Sequence, residues 1–217
     1  MILNPVIAID GPAASGKSTV ARLVAQSLQF VYVDTGAMYR SYAWLALEEK
    51  CDPSDREAVK ALIARSKFET LFTDGVLELR LNGIDPTTHI RADRINAVVS
   101  QIASIPELRE FLVIRQRELR NRKPLVMEGR DIGTVVFTDT PHKYFIDADP
   151  AVRDARRKNQ GQNDALAQRD AQDRGRRVAP LTMAADAKLI DSTHVPADEI
   201  ARTIVEELKV RGIQSRA

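Results

Sequence analysis

A chain of 217 residues with 44% hydrophobic and 29% charged side chains is long enough for one sizeable core, and its composition excludes disordered and fibrous classes. Its 32 basic and 30 acidic residues leave a formal charge of +2, which argues against a bulk-basic nucleic-acid binder. The one cysteine excludes an intrachain disulfide framework and a four-cysteine zinc site, and with no long apolar run or leader the sequence predicts a cytoplasmic protein with no membrane partner.

The first element is Val6-Ile7-Ala8-Ile9-Asp10, a short β-branched run of the kind buried inside a parallel sheet. A helix follows over 17–28, with Val20, Leu23, Val24 and Leu28 on one face. Phe30-Val31-Tyr32-Val33 is the next strand and ends at Asp34. Cys51 lies in the polar stretch Glu48-Glu49-Lys50-Cys51-Asp52-Pro53 and reads as an ordinary thiol in a reducing compartment. Over 68–84 the period changes: Leu77, Leu79 and Leu81 alternate with Glu78 and Arg80, and Asp74-Gly75 and Asn82-Gly83 bracket them. Such pairs favour tight hairpin turns, so this region predicts a small antiparallel meander.

Two more strands are predicted at Leu125-Val126-Met127 and Lys143-Tyr144-Phe145-Ile146, and a fifth at Lys188-Leu189-Ile190-Asp191. The polar segment 154–177 carries arginines and few large apolar residues, which suits a mobile flap or a solvated helix. A terminal amphipathic helix starts at Pro196, buries Ile200, Ile204 and Leu208, and ends at Gly212. Strands alternating with helices imply right-handed β-α-β units: an α/β fold with a parallel sheet covered on both faces.

Gly11-Pro12-Ala13-Ala14-Ser15-Gly16-Lys17-Ser18 matches G-x-x-x-x-G-K-[ST] in full, between a strand and a helix. Glycines let successive N–H groups face one centre, the helix N-terminus adds positive charge, and Lys17 supplies a compact cation for the β- and γ-phosphates. Ser18 is placed to ligate Mg²⁺ carried by a nucleotide, and Thr19 completes the expected ATP-binding set. The absence of an N-K-x-D clamp argues against a GTPase. Arg40, Arg109, Arg130 and the arginines of 153–177 could offset the repulsion between two polyanions, as a small-molecule kinase requires. Because these arginines are far apart in sequence, they must converge through mobile segments. A non-catalytic nucleotide-binding protein has no need of this second ring.

Three further stretches complete a pattern: Asp34-Thr35-Gly36-Ala37-Met38-Tyr39-Arg40, Gly129-Arg130-Asp131-Ile132-Gly133-Thr134-Val135-Val136-Phe137, and Asp173-Arg174-Gly175-Arg176-Arg177-Val178-Ala179-Pro180-Leu181. With the phosphate loop they resemble the bacterial cytidylate kinase family over residues 6–208. That resemblance implies the nucleoside-monophosphate kinase fold, with a five-stranded parallel core over about 1–34, 110–150 and 178–217. It also implies a monophosphate-binding region over about 35–109, an antiparallel insert over about 68–90 and an arginine-bearing lid over about 151–177.

The reaction so implied is transfer of the ATP γ-phosphate to CMP or dCMP, with Mg²⁺ arriving on ATP and the chain acting as a monomer. Carried over by position, Thr35, Arg40 and Arg130 would hold the acceptor phosphate, and Ser100, Arg109 and Asp131 would line the cytosine pocket. Asp173 and Arg169 would face the ribose, Arg176 would reach the acceptor from the lid, and Arg153 and Arg157 would meet the transferred group. Lys17, Arg130, Arg153, Arg157 and Arg176 thus form the implied catalytic set, while Tyr39 reads as a packing residue. A broader UMP/CMP kinase, or another nucleoside-monophosphate kinase, is the alternative within the same class. Two departures stand out. Glu128 replaces the aspartate many members carry, and the lid is shorter by about ten residues around Gln160-Gly161-Gln162-Asn163.

Overall fold

The structure, a computed structural model, describes residues 3–159, 166–176 and 179–215. Alternating elements build one seven-stranded sheet in the order β3-β4-β2-β5-β1-β6-β7. Its centre is β1 (Val6–Asp10), which pairs in parallel with β5 (Leu125–Gly129) on one side and β6 (Lys143–Asp147) on the other. The chain leaves β1 towards β2 (Val31–Asp34) and later returns to lay β6 and β7 (Lys188–Asp191) on the opposite side. A crevice therefore opens at the carboxyl ends of the central strands, where doubly wound sheets bind ligands.

Burial follows the pleat. In β1, Ile7 and Ile9 pack with Val20, Val24 and Leu28 of α1 (Lys17–Leu28) and Ile200, Ile204 and Leu208 of α8 (Ala197–Val210). Val6 and Ala8 point to the other face, against Leu119 and Ile132. Both faces being covered, every residue of β1 and β5 is buried, which is why neither strand alternates in sequence.

A separate apolar cluster lies beside this core. It joins α2 (Thr35–Glu48), α3 (Arg56–Arg65), α4 (Asp93–Ile102) and α5 (Pro106–Arg120) around Tyr42, Leu62, Ile95, Ile102 and Leu112. Leu112 is fully buried there, so Leu112→Ala should cost about 2–5 kcal/mol in urea unfolding.

The predicted meander is a two-stranded hairpin of β3 (Phe68–Thr73) and β4 (Val76–Leu81), and it is not detached from the sheet. Asp74 and Gly75 have φ of 50° and 75°, the doubly left-handed turn that suits the twist of paired strands. The Tyr32 N–H donates to the Gly75 carbonyl at 2.8 Å, and β4 continues the sheet beyond β2. Asn82-Gly83 forms a second tight turn, but it leads only to a single bridge between Leu81 and Ile84. Two helices, α6 (Pro150–Asn159) and α7 (Leu166–Arg174), occupy the segment predicted as a lid. Among the described residues no helix is long and apolar enough to cross a membrane.

Candidate active site

A cleft of about 670 Å³ opens at the carboxyl edge of the sheet, between the phosphate loop, the start of α2, and helices α4, α5, α6 and α7. The loop is wound so tightly that a Cβ on Gly11 would come within 2.0 Å of the Ile146 carbonyl oxygen. Gly16, at φ 83°, caps α1, so the first helical N–H groups face the cleft. Ala13, Ala14, Gly16, Lys17, Ser18 and Thr19 line the cavity. Gly11, Pro12 and Ser15 are placed behind it: the Pro12 carbonyl accepts from Lys17 Nζ at 3.3 Å, and the Ser15 carbonyl accepts from Ser192 Oγ at 2.7 Å.

Lys17 also faces Glu128, with Nζ to Oε2 at 3.6 Å and both side chains buried. The longer acid at 128 is anchored by Tyr32, whose hydroxyl donates to Oε1 at 2.8 Å. Burial, then the neighbouring Glu128 charge, pushes the Tyr32 hydroxyl far above the usual phenol range, so it stays a donor. The Thr35 hydroxyl donates to the Glu128 carbonyl at 2.8 Å, tying the start of α2 to the end of β5.

The opposite wall is built on Asp34. Its carboxylate accepts from the Ala37 N–H at 2.9 Å, capping α2, and from both Arg40 Nη2 and Arg91 Nη2 at 2.9 Å. Burial alone would raise its pKa, but the Arg40 and Arg91 guanidinium groups outweigh that and hold the carboxyl below its usual range. Gly36 makes room for the fold-back of Arg40, since a Cβ there would meet Arg40 Nη1 at 2.9 Å. Arg40 Nε is buried without a hydrogen-bond partner.

Deeper in, Arg109 and Asp131 form a buried ion pair, and Arg109 Nη1 also donates to the Ala103 carbonyl at 3.0 Å. The guanidinium lies 5.4 Å from the centre of the Tyr39 ring, so Tyr39, expected only to pack, also supports the cleft wall. Burial pushes the Asp131 carboxyl up, and Arg109 and Arg176 only partly pull it back. Ser100 borders the same end of the cleft.

Asp173, on α7, joins two arginines. Arg130 Nε donates to its Oδ2 at 2.9 Å, and Arg176 pairs with its other oxygen. The arginines of α6 take different positions: Arg157 lines the cleft, while Arg153 is buried against Asp170 and the back of the phosphate loop. Arg156 donates to the Ser192 carbonyl at 2.6 Å and to Ser192 Oγ at 3.1 Å. The side chain of Arg169, together with Arg177 and the short connection at 160–163, lies outside the described residues.

Several participants carried no local signal. Arg91, Asn96 and the β7–α8 residues Ser192, Val195 and Pro196 line the cleft, yet sit in unremarkable sequence. Position alone could have flagged Ser192, one residue past the carboxyl end of a sheet strand. Asp10 is another such residue. Its two carboxylate oxygens accept from the Ile132 and Gly133 N–H groups at 2.8 Å each, fixing the π-helical turn Ile132–Val136 just after Arg130 and Asp131.

Burial raises the Asp10 pKa to about 7, against the lowering effect of those two N–H donors. The unfolded chain loses this proton near pH 3.8, whereas the folded protein keeps it until about pH 7. Between these values unfolding releases a proton, so folding stability from this group should fall as pH rises from about 4 to 7, then level off. Chemical denaturation across that range should show the slope in the parent protein, and Asp10→Asn should lack it.

A profile of the cytidylate kinase family matches residues 7–210. Cytidylate kinases of Salmonella paratyphi B and Salmonella newport are each 39% identical over 209 residues, covering 91% of this chain and 92% of theirs. Among solved structures, a gluconokinase from Sinorhizobium meliloti aligns with TM-score 0.48 and 14% identity over 97% of this chain and 93% of its own. A tunicamycin resistance protein of Deinococcus radiodurans aligns with TM-score 0.48 and 14% identity over 94% and 95%.

Proposed function

The chain belongs to the cytidylate kinase family, whose reaction is phosphoryl transfer to CMP and dCMP, and from that premise we propose how this cleft performs it. ATP carrying Mg²⁺ lies with its terminal phosphates in the loop 11–18, against Lys17, Ser18 and Thr19. The acceptor lies opposite, its phosphate against Thr35, Arg40 and Arg130 and its cytosine against Ser100, Arg109 and Asp131. Asp173 and Arg169 face the ribose, and Arg176 reaches the acceptor phosphate from the lid. The reading gives the chain a core, a monophosphate-binding region over 35–109 and a lid over 151–177, working as a monomer in the cytoplasm.

The observation that carries this reading is the opposition of two cationic walls across one cleft, the loop with Lys17 facing Arg40, Arg109, Arg130 and Arg176. Arg40 Nε and Arg176 Nε are buried donors without hydrogen-bond partners, and an anion between the walls would supply them. Among the described residues no three His, Cys, Asp or Glu side chains cluster to hold a metal ion. The oxygen donors Ser18 and Glu128 suit a hard cation brought in on phosphates, which neutralises part of the charge on the transferring group.

Chemistry of this type depends on position and charge, and no general base is required. Lys17 exchanges Glu128 and the Pro12 carbonyl for the donor's phosphate oxygens, while Tyr32 keeps Glu128 from following it. Arg130 and Arg176 exchange Asp173 for acceptor phosphate, which frees the Asp173 carboxylate for a sugar hydroxyl. Arg157 reaches over the transferred group from α6, excluding water.

The test is a coupled assay with ATP-Mg and a panel of CMP, dCMP, UMP and AMP. CMP and dCMP should turn over, with kcat/KM for UMP lower by about tenfold or more. Equal rates on CMP and UMP would favour a broader pyrimidine kinase, and no turnover on any monophosphate would sink the assignment.

A further inference from the structure

Arg153 and Asp170 meet between α6 and α7, apart from the Arg157 and Asp173 side chains that these helices present to the cleft. Both residues are buried, 7% and 6% exposed, and they form an ion pair between α6 and α7. Buried pairs of this kind need their remaining hydrogen-bonding capacity filled, and here one residue of the phosphate loop fills it. Arg153 Nη1 donates to the Ala13 carbonyl at 3.2 Å, and Asp170 Oδ1 accepts from the Ala13 N–H at 3.4 Å. Arg153 Nε is held in turn by the Ala148 carbonyl at 3.2 Å, beyond the end of β6. Both polar groups of one loop residue are therefore gripped by a single lid ion pair.

A second observation shows what the grip holds. Ala14, the next residue, has φ 57°, the left-handed region that side chains other than glycine rarely adopt. Such conformations persist only where the surroundings over-determine them. The peptide feeding Ala14 is set by Ala13, and Ala14 lines the cleft where the loop's N–H groups converge. A carboxylate this close to a phosphate site would repel the ligand were it bare. Arg153 neutralises it, so the pair adds grip without adding net charge.

We infer that Arg153 and Asp170 are positioning residues that hold Ala13 and the left-handed Ala14 in their anion-binding shape, so that the docked lid helices set the affinity for the donor's phosphates. The inference rests on the loop being the donor site. It goes beyond that reading by giving Arg153 a place in holding the loop in addition to any contact with the transferred group.

Equilibrium titration of the full chain with ATP-Mg in the absence of CMP, and separately with CMP alone, tests it independently of turnover. Asp170→Asn should weaken ATP binding about tenfold, the size expected for released left-handed strain, and leave CMP binding within about twofold. Arg153→Lys, which keeps the charge but not the fork that reaches Asp170 and Ala13 together, should reproduce the donor-only defect, and it serves if Asp170→Asn fails to fold. Adding Ala14→Gly to Asp170→Asn should recover most of the lost affinity, because glycine adopts the left-handed conformation without support. A folding defect alone would not produce that rescue. Unchanged ATP affinity in folded variants, equal weakening of ATP and CMP, or no recovery with Ala14→Gly would each overturn the inference. Failure of the parent protein to bind ATP at all would instead overturn the donor assignment.

Discussion

Lys17→Gln is expected to lower kcat for CMP phosphorylation by about a thousandfold, or about 4 kcal/mol of transition-state stabilisation, with KM for CMP within about threefold. Lys17 is the first residue of α1 and is buried at 7% exposure. Its ammonium therefore acts in a partly desolvated site, where a preorganised cation does more than it would in water. The glutamine amide can still donate to the Pro12 carbonyl, so the loop keeps its shape while the charge is gone. What remains is Glu128, a buried carboxylate 3.6 Å from the position vacated by Lys17 Nζ. In the variant that acid faces the donor's phosphates without the Lys17 ammonium, so only the cation carried on the phosphates offsets its repulsion. Thermal unfolding should accompany the kinetics, because a collapse in stability would confound them. A folded variant that keeps kcat within tenfold of the parent would remove Lys17 from the transferred phosphate.

Much of this arrangement is legible in the chain because it is encoded locally. The strand at β1, the loop and α1 follow from five to twelve neighbouring residues, and the limits of α1 agree with its apolar spacing. Asp74-Gly75 specifies a hairpin by the same logic, since two left-handed residues in a row leave few other backbone paths. Long-range pairings are another matter. Nothing near Asp74 tells that Gly75 will accept a hydrogen bond from Tyr32 and extend the main sheet. The polar pattern of 154–177 is compatible with a solvated helix, yet Asp170 within it is buried because Arg153 and Ala13 reach it from elsewhere. Asp10 looks like the end of a strand, and only the fold brings the Ile132 and Gly133 N–H groups to it from 122 and 123 residues away. Chemistry-bearing residue types were thus visible, while their partners depended on topology.

Asp131→Asn should narrow the CMP:UMP ratio of kcat/KM by about tenfold or more, the second large effect the site implies. Cytosine presents an exocyclic amine where uracil presents a carbonyl. An ionised carboxylate only accepts, so it matches the amine and sets two acceptors against each other when uracil enters. Asparagine carries a donor on the same frame and can turn it towards the uracil carbonyl. It also retains one oxygen for Arg109, which matters because Arg109 is 4% exposed and Asp131→Ala would strand its charge, at about 3–5 kcal/mol. Catalysis on CMP should fall as well, so the ratio rather than the rate is the diagnostic quantity. Acidity gives an independent check. Burial holds the Asp131 carboxyl above its usual pKa, against the pull of Arg109 and Arg176. Protonation converts it to a donor, so the parent's CMP preference should weaken on acidification, starting at a higher pH than an ordinary aspartate would allow. The ratio for Asp131→Asn should stay flat over the same range, since its amide does not titrate. A parent ratio that does not move with pH, together with an unchanged ratio in the variant, would place the base-selecting acceptor on some other group.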